Sequence, residues 1–339
     1  MAPLRWGIFS AGKISNDFCV GLTTLPTEDH VIQHVGARNS DKAKEFADKF
    51  HIPKSSGSYV EVAKDADVDV IYVGAINTAH KELCLLALEH GKAVLCEKPA
   101  TMNGRELEEV LKKAEEKNLF YMEAEWTRFF PLYQELKPKL KVDGALGLPR
   151  AMTVTFGYAL LNDIKRINKK ELGGSVVMDI GIYTLLAMDM LFEGFSLKEM
   201  KAIGHVTEGT NVDRSVGISA TFEGNRIAQL LCSGNADLPN ELTLICDKGS
   251  VTIRKPFWCP ESYVQDTGSG PQEIRYDLPK TEKEMNFTNS VGLRYEAEHV
   301  RQCLNKGLKQ SPIMPFDTSR RIMGYLDDVR KQIGSTYAL

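Results

Sequence analysis

The sequence predicts an α/β chain in two parts: a doubly wound, mostly parallel sheet first, then an α+β domain built on a large, mostly antiparallel open sheet. Three observations carry this. Up to residue 124, short apolar runs alternate with helical segments, the pattern of right-handed crossovers between parallel strands. Beyond residue 150, short β-like runs follow one another with turn signals between them. The length of 339 residues is also about two domains' worth. The expected boundary divides the chain into residues 1–125 and 126–339.

Each element has its own signal. Leu4–Phe9 is an apolar run that ends in small residues, and a helical segment over 14–25 follows. A second strand is expected over 31–37. A charged helix then spans Ser40–Phe50, with Ala43, Phe46, Ala47 and Phe50 at helical spacing. Strands over 69–74, 92–96 and 119–124 alternate with helices over 79–90 and 103–117. In the second part, a helix over 131–140 precedes a strand over 150–158 and an apolar helical stretch over 175–192. Strands follow over 200–206, 214–222, 226–233, 241–246 and 250–254, with turns at 223–225 and 247–249. Helices over about 291–306 and 317–333 close the chain.

Composition narrows the function classes. The chain is 43% hydrophobic and 26% charged, which supplies ample core material and argues against intrinsic disorder. A formal charge of −3 gives no basic surface for nucleic acid or for an acidic membrane. No apolar run reaches the roughly 18 residues of a spanning helix, and the first ten residues lack a basic-then-apolar leader. Seven scattered cysteines, odd in number and without C-x-x-C spacing, suggest neither a zinc site nor a disulfide framework. Nor do the histidines cluster in a metal-ligand pattern. A cytoplasmic, reducing setting is expected.

The first strand runs into Ser10, Ala11, Gly12, Lys13 and Ile14, small residues opening a helix. Such a turn lets backbone N–H groups and a helix end meet a pyrophosphate, the Rossmann arrangement. Two of the three usual glycines are serines here, Ser10 and Ser15. At the end of the second strand the chain offers Arg38 and no carboxylate before Asp41. An arginine there suits the 2′-phosphate of NADP, whereas an acid would suit the ribose of NAD. NADP(H) is therefore the expected cofactor, against the plainer reading of Arg38 as a surface residue pairing with Asp41 or Glu45.

Three short segments follow strand ends, where an open α/β sheet places its ligands. They carry Asn77 and His80, then Glu97, Lys98 and Pro99, then Glu125, Trp126 and Arg128. E-K-P after the fourth strand, N-x-x-H after the third and the S-A-G-K-I turn resemble the Gfo/Idh/MocA oxidoreductase family. Narrower phrases resemble its dihydrodiol dehydrogenase branch: R-W-G-I from Arg5, A-V-L-C-E-K-P from Ala93, W-T-R-F-F-P from Trp126, D-I-G-I-Y from Asp179, W-C-P from Trp258 and Y-E-A-E-H-V-R from Tyr295. The resemblance runs from Arg5 to about Gly334.

That resemblance implies the roles. Tyr183 stands where most of the family has a histidine, and would be the proton donor and acceptor for an alcohol. Lys98 would contact substrate and assist it, since a free phenol with a pKa of about 10 needs a nearby cation to work near neutral pH. Asp179, four residues before Tyr183, completes the catalytic set and would share its helix face. Ser10, Ala11, Gly12, Lys13, Ile14, Arg38, Asn77, His80, Glu97 and Lys98 would line the cofactor. Trp126, Phe156, Trp258 and Phe287 would form an apolar substrate wall, with Arg128 on a hydroxyl or carbonyl. Each aromatic is open to the plainer reading of a core residue.

The implied reaction is NADP-dependent oxidation of a vicinal diol, or of a cyclic sugar at an aldose C1 such as that of D-xylose. Reduction of another sugar, dicarbonyl or natural-product carbonyl on the same site is the alternative, as is a non-catalytic NADP-sensing protein. The basic segment 160–170, which departs from the resemblance, bears on specificity. The resemblance also implies a homodimer through the second sheet. Ala220, Phe222, Leu230, Cys232, Leu242 and Leu244 are the period-two apolar positions that would need covering; helices could cover one face, and the resemblance implies a second copy.

Overall fold

The computed structural model describes residues 2–335, in two compact units. The first joins the chain up to Phe129 with the late segment Leu278–Arg320; the second joins Phe130–Asp277 with the chain from Arg321 onward.

In the first unit, β1 (Leu4–Phe9), α1 (Lys13–Leu22), β2 (His30–Gly36), α2 (Ser40–Phe50), β3 (Lys54–Ser56), α3 (Tyr59–Lys64) and β4 (Val70–Val73) come in turn. They are followed by α4 (His80–Glu89), β5 (Ala93–Glu97), α5 (Gly104–Lys117) and β6 (Tyr121–Ala124). All strand pairs are parallel and the order is β3-β2-β1-β4-β5-β6. Central strands β4 and β5 are buried throughout, as strands covered on both faces must be. The order reverses between β1 and β4, and a ligand crevice belongs at that point, beyond the C-terminal strand ends. β3 and α3 were not foreseen, because three residues of K-S-S carry no apolar alternation.

The second unit opens with α6 (Pro131–Leu136), β7 (Pro149–Gly157) and α7 (Ile182–Leu191). Next come β8 (Leu197–Val206), β9 (Asp213–Phe222), β10 (Arg226–Ser233), β11 (Leu242–Cys246), β12 (Gly249–Ile253), β13 (Ser262–Asp266) and β14 (Gln272–Arg275). They form one sheet ordered β14-β13-β12-β11-β7-β10-β9-β8, antiparallel except where β10 meets β7. β13 and β14 also escaped the sequence reading; β14 is mostly exposed and has no buried stripe to announce it. Two helices close the described chain: α8 (Leu293–Asn305) in the first unit, and α9 (Phe316–Ile333), which leaves it after Arg320.

The expected dimer-covering residues turn out to belong to the other face. Ala220, Phe222, Leu230, Cys232, Leu242 and Leu244 are all buried within the chain, on the sheet face that carries α7. The alternate positions face out, with Ile203 at 84%, Ile227, Leu231 and Ile245 exposed. Period-two patterning identifies a face and does not say what covers it. A second correction concerns the helical stretch. By length and composition Lys170–Leu191 could cross a bilayer, yet 94% of its most apolar window is buried inside the protein, as in a core helix.

The first unit also buries four carboxyl groups around the ends of β5 and β6: Glu97, Glu123, Glu125 and Glu296. Glu97 accepts the Tyr72 hydroxyl at 2.6 Å, and Glu123 accepts the Ala100 N–H at 2.8 Å. Among the described residues, neither oxygen of Glu125 or of Glu296 has a hydrogen-bond partner. Burial raises all four, most strongly Glu125 and Glu296, and the Lys98 ammonium pulls Glu97, Glu123 and Glu125 the other way.

Glu123 is pushed up to about 7, from the 4.5 of a free glutamate. A raised carboxyl favours the fold while protonated, so its contribution is full below pH 4.5 and is lost as pH rises through about 7. Glu123→Gln should therefore lose about 3 kcal/mol less unfolding free energy than the wild type between roughly pH 5 and 8. Urea titrations across that range measure it, and parallel curves for the two proteins would show that Glu123 ionises without cost.

Candidate active site

Within the first unit, three loops leave the C-terminal ends of β1, β4 and β5. Ser10, just after β1, has φ 86°, the left-handed region that normally calls for glycine. Its N–H donates to the Gly36 carbonyl at 2.9 Å, which holds the loop against the end of β2. Gly12 precedes α1 with no capping side chain, and the first turn of α1 holds no acid. A Cβ at Gly12 would meet the Ser10 hydroxyl at 3.4 Å and the Gly74 carbonyl at 3.7 Å, so its absence leaves the approach to the helix end open. Ala11 and Ile14 are half-buried beside it and Lys13 is exposed. These features fit a dinucleotide pyrophosphate. Arg38 is exposed after β2, where Asn39 caps α2 by accepting the Lys42 N–H.

Tyr59, absent from the sequence reading, joins this group. Burial raises its phenol, while the Arg38 charge and a hydrogen bond with Ser10 pull it down, so it has Ser10 and Arg38 as neighbours. Asp17 was also missed. Fully buried on α1, it accepts the N–H groups of Asn286 and Phe287 at 2.9 Å and the Ser290 hydroxyl at 2.6 Å. It thereby fixes Phe287, a residue 49% exposed. No local motif announces a contact across about 270 residues.

The loops after β4 and β5 are tied together. His80 is buried, with Nδ1 2.9 Å from the Pro99 carbonyl and Nε2 3.0 Å from the Ala75 carbonyl. A neutral ring can donate to one of these at a time. Asn77 is buried in the same loop and accepts the Thr78 N–H. The Lys98–Pro99 peptide is cis, and Lys98 is half-buried. Its N–H donates to the Glu97 carboxyl at 3.2 Å, so the glutamate expected near the cofactor directs its side chain into the core, against Tyr72 and its own loop. After β6, Trp126–Phe129 form a 3-10 turn in which Trp126 is 6% and Arg128 2% exposed. The Arg128 Nε–H donates to the Ile313 carbonyl at 2.9 Å, which gives part of the guanidinium a structural task.

Within the second unit, the rings meet. Phe156, at the end of β7, stacks on Trp258 with centroids 4.1 Å apart, and lies 5.7 Å from Tyr183, 5.8 Å from Tyr158 and 5.5 Å from Phe257. Three expected site residues thus form one aromatic cluster, with Tyr183 8% exposed at its edge. Tyr183 lies in the first turn of α7, directly after a π-helical turn over Val177–Gly181, a form frequent at functional sites. The Val177 N–H is anchored on buried Asp213 at 2.7 Å. Asp179 sits in that wide turn, and its carboxylate accepts Arg166 at 2.5 Å. Gly181 lets the helix approach β10, since a Cβ there would lie 3.2 Å from the Cys232 sulfur.

Comparison with known proteins shows the family. Residues 4–125 match the family model of the oxidoreductase family with an NAD-binding Rossmann fold, and residues 133–252 match the GFO/IDH/MocA C-terminal domain. The chain is 43% identical to trans-1,2-dihydrobenzene-1,2-diol dehydrogenase of Xenopus tropicalis, over 98% of this chain and 99% of that protein. The fold is also that of levoglucosan dehydrogenase in complex with NADH and levoglucosan (18% identity, TM-score 0.84, 98% and 97% of the two chains). It is shared by KijD10, a 3-ketoreductase from Actinomadura kijaniata in complex with NADP (20% identity, TM-score 0.80, 98% of each chain). A parallel sheet with a dinucleotide turn, an E-K-P loop and a tyrosine on an aromatic wall thus belong to a member of the Gfo/Idh/MocA family, an oxidoreductase acting on CH–OH donors.

Proposed function

We propose that this protein is an NADP-dependent dehydrogenase of vicinal diols or cyclic sugars, of the dihydrodiol or D-xylose type. The observation that carries the reading is Tyr183, held 5.7 Å from the Phe156 ring on a wall of Phe156, Tyr158 and Trp258, next to Asp179 on the same helical segment. An aromatic wall covers the apolar face of a ring substrate and leaves its hydroxyls for polar partners. The 43% identity to a dihydrodiol dehydrogenase supports the substrate class. NADP over NAD is favoured by Arg38 after β2, exposed and without a carboxylate beside it in the turn.

A bound nicotinamide cofactor would supply the hydride acceptor for oxidation at the carbinol carbon and the hydride donor for the reverse reduction. Residues 10–14 bind its pyrophosphate at the start of α1, and Arg38 takes the 2′-phosphate. Tyr183 removes the hydroxyl proton as the C–H bond is lost, and gives it back in the reverse direction. Lys98 assists Tyr183, as the family resemblance implies, by favouring the phenolate. Trp126, Arg128 and Phe287 belong to the substrate side on the same ground. Seven buried thiols favour a reducing, cytoplasmic setting.

The same reading includes a homodimer through the second sheet. Its outward face carries Ile203, Ile227, Leu231 and Ile245 among Thr153, Ser219 and Gln229, an exposed apolar patch with a polar surround. A double variant, Ile203→Glu with Leu231→Lys, is expected to run as a monomer by light scattering where the wild type runs as a dimer. A wild type that is monomeric at micromolar concentration would remove the dimer from the reading.

The reaction is tested by absorbance at the NADPH band. Purified protein is given NADP⁺ or NAD⁺ with a trans-cyclohexanediol, D-xylose, D-glucose or a 2-hydroxy acid. Turnover of the diol or xylose is expected with NADP⁺ in preference to NAD⁺, and Tyr183→Phe should lower kcat by about 10²–10⁴-fold. Silence on the whole panel with NADPH still bound tightly would overturn the reaction and favour a sensor. Full activity in Tyr183→Phe would overturn the acid–base assignment.

A further inference from the structure

The basic segment that departs from the family resemblance is latched onto the helix that carries Tyr183. After Tyr158 the chain makes two short 3-10 turns, Ala159–Asp163 and Lys170–Leu172, and crosses the second unit as a strap. Leu161 and Ile167 are buried beneath it, and Gly174 closes it. A Cβ at Gly174 would lie 2.5–2.8 Å from the carbonyl oxygens of Ile167, Lys169 and Arg166, so the strap packs where a side chain would stand.

Two polar contacts hold its crest. Asn168 accepts a hydrogen bond from Arg214 on β9, and Arg166 donates to the Asp179 carboxylate at 2.5 Å. That pair is half-buried, with side chains 34% and 19% exposed, so it is screened less than a surface ion pair. At its other end the strap starts from Tyr158, whose ring lies 5.8 Å from Phe156 and 6.2 Å from Trp258. The strap thus runs from the aromatic wall to the turn before Tyr183.

We propose that Arg166 is a specificity-determining positioning residue: its ion pair with Asp179 latches the 159–172 strap to the acid–base helix and so fixes the wall that a diol or sugar ring meets. This rests on the reading of Tyr183 and Asp179 given above. Arg166 touches no reacting atom; it acts through Asp179. The contact is a single bond from one guanidinium nitrogen, so a lysine can replace it, whereas a glutamine keeps the polarity and loses the charge.

The test uses the full chain as wild type, Arg166→Lys, Arg166→Gln, Asp179→Asn and the Gln/Asn double variant. Backbone amide exchange is followed over 158–174, with residues 69–97 as the internal reference. Arg166→Gln should raise exchange in the strap by roughly ten-fold and leave the reference unchanged, with Arg166→Lys close to wild type. On the panel substrate turned over best, Arg166→Gln should lower kcat/KM by roughly ten-fold or more and change the ranking of substrates. The double variant should be no worse than the more damaged single, because both remove one interaction. Unchanged exchange, or losses that multiply in the double variant, would overturn the latch. Faster exchange with unchanged kinetics and ranking would overturn the specificity role. A wild type silent on the panel means that the proposed reaction has failed, and the exchange result alone then decides the latch.

Discussion

Lys98 stands on a loop whose backbone is fixed by hydrogen bonds that cannot be traded for water. The Glu97 carboxyl holds the Lys98 N–H and is itself held by Tyr72; Glu123 holds the Ala100 N–H; the His80 ring reaches the Pro99 carbonyl. Each partner is buried, so removing one leaves a desolvated donor or acceptor at a cost of about 1–3 kcal/mol. Glu97 ends β5, Glu123 lies in β6, and His80 opens α4 after β4. Three neighbouring strands therefore fix one loop, and its geometry is inherited from the register of the parallel sheet. A change in that register would move Lys98 before it moved anything at the surface.

The second unit reaches the same end by different means. Every residue of α7 is buried, so the helix shows no polar stripe and its orientation is set by packing on β7 and β10. Besides the Asp189–Arg321 pair further along, the helix has a polar site where it begins. There the backbone widens into a π turn, Asp213 anchors it, and Asp179 and Tyr183 come to the edge of the core. The ring of Tyr183 packs like a core aromatic against Phe156, so packing orients the side chain that the proposed chemistry needs.

What the sequence made legible follows from how local each signal is. The βα alternation, the turn at Ser10–Gly12 and the E-K-P loop were readable because each is encoded within about ten consecutive residues. The departure at Ser10 was visible too, although its cost was not: the structure keeps the positive φ that the missing glycine would have supplied. Asp17, Tyr59 and the Arg166–Asp179 pair were beyond reach, because each depends on partners set side by side by the fold. The outward sheet face was misassigned for a related reason. Alternation in β9 and β10 marks two faces, and only the position of α7 says that the more apolar one is already covered.

Buried acid is managed in two ways, by raising a carboxyl through burial and by holding it with partners, and the second occurs in both units, since Asp17 of the first is held by Asn286, Phe287 and Ser290. In the first, burial raises Glu97, Glu123, Glu125 and Glu296, and a protonated carboxyl can remain in a dry interior without a cation on every oxygen. In the second, acids are held by partners: Asp179 by Arg166, Asp189 by both nitrogens of an Arg321 fork at 2.8 and 3.1 Å, and Asp213 by the Val177 N–H and the Ser335 hydroxyl. Protonation governs the first arrangement, so pH acts on the loop that carries Lys98. Geometry governs the second, so substitutions and packing act on the helix that carries Tyr183.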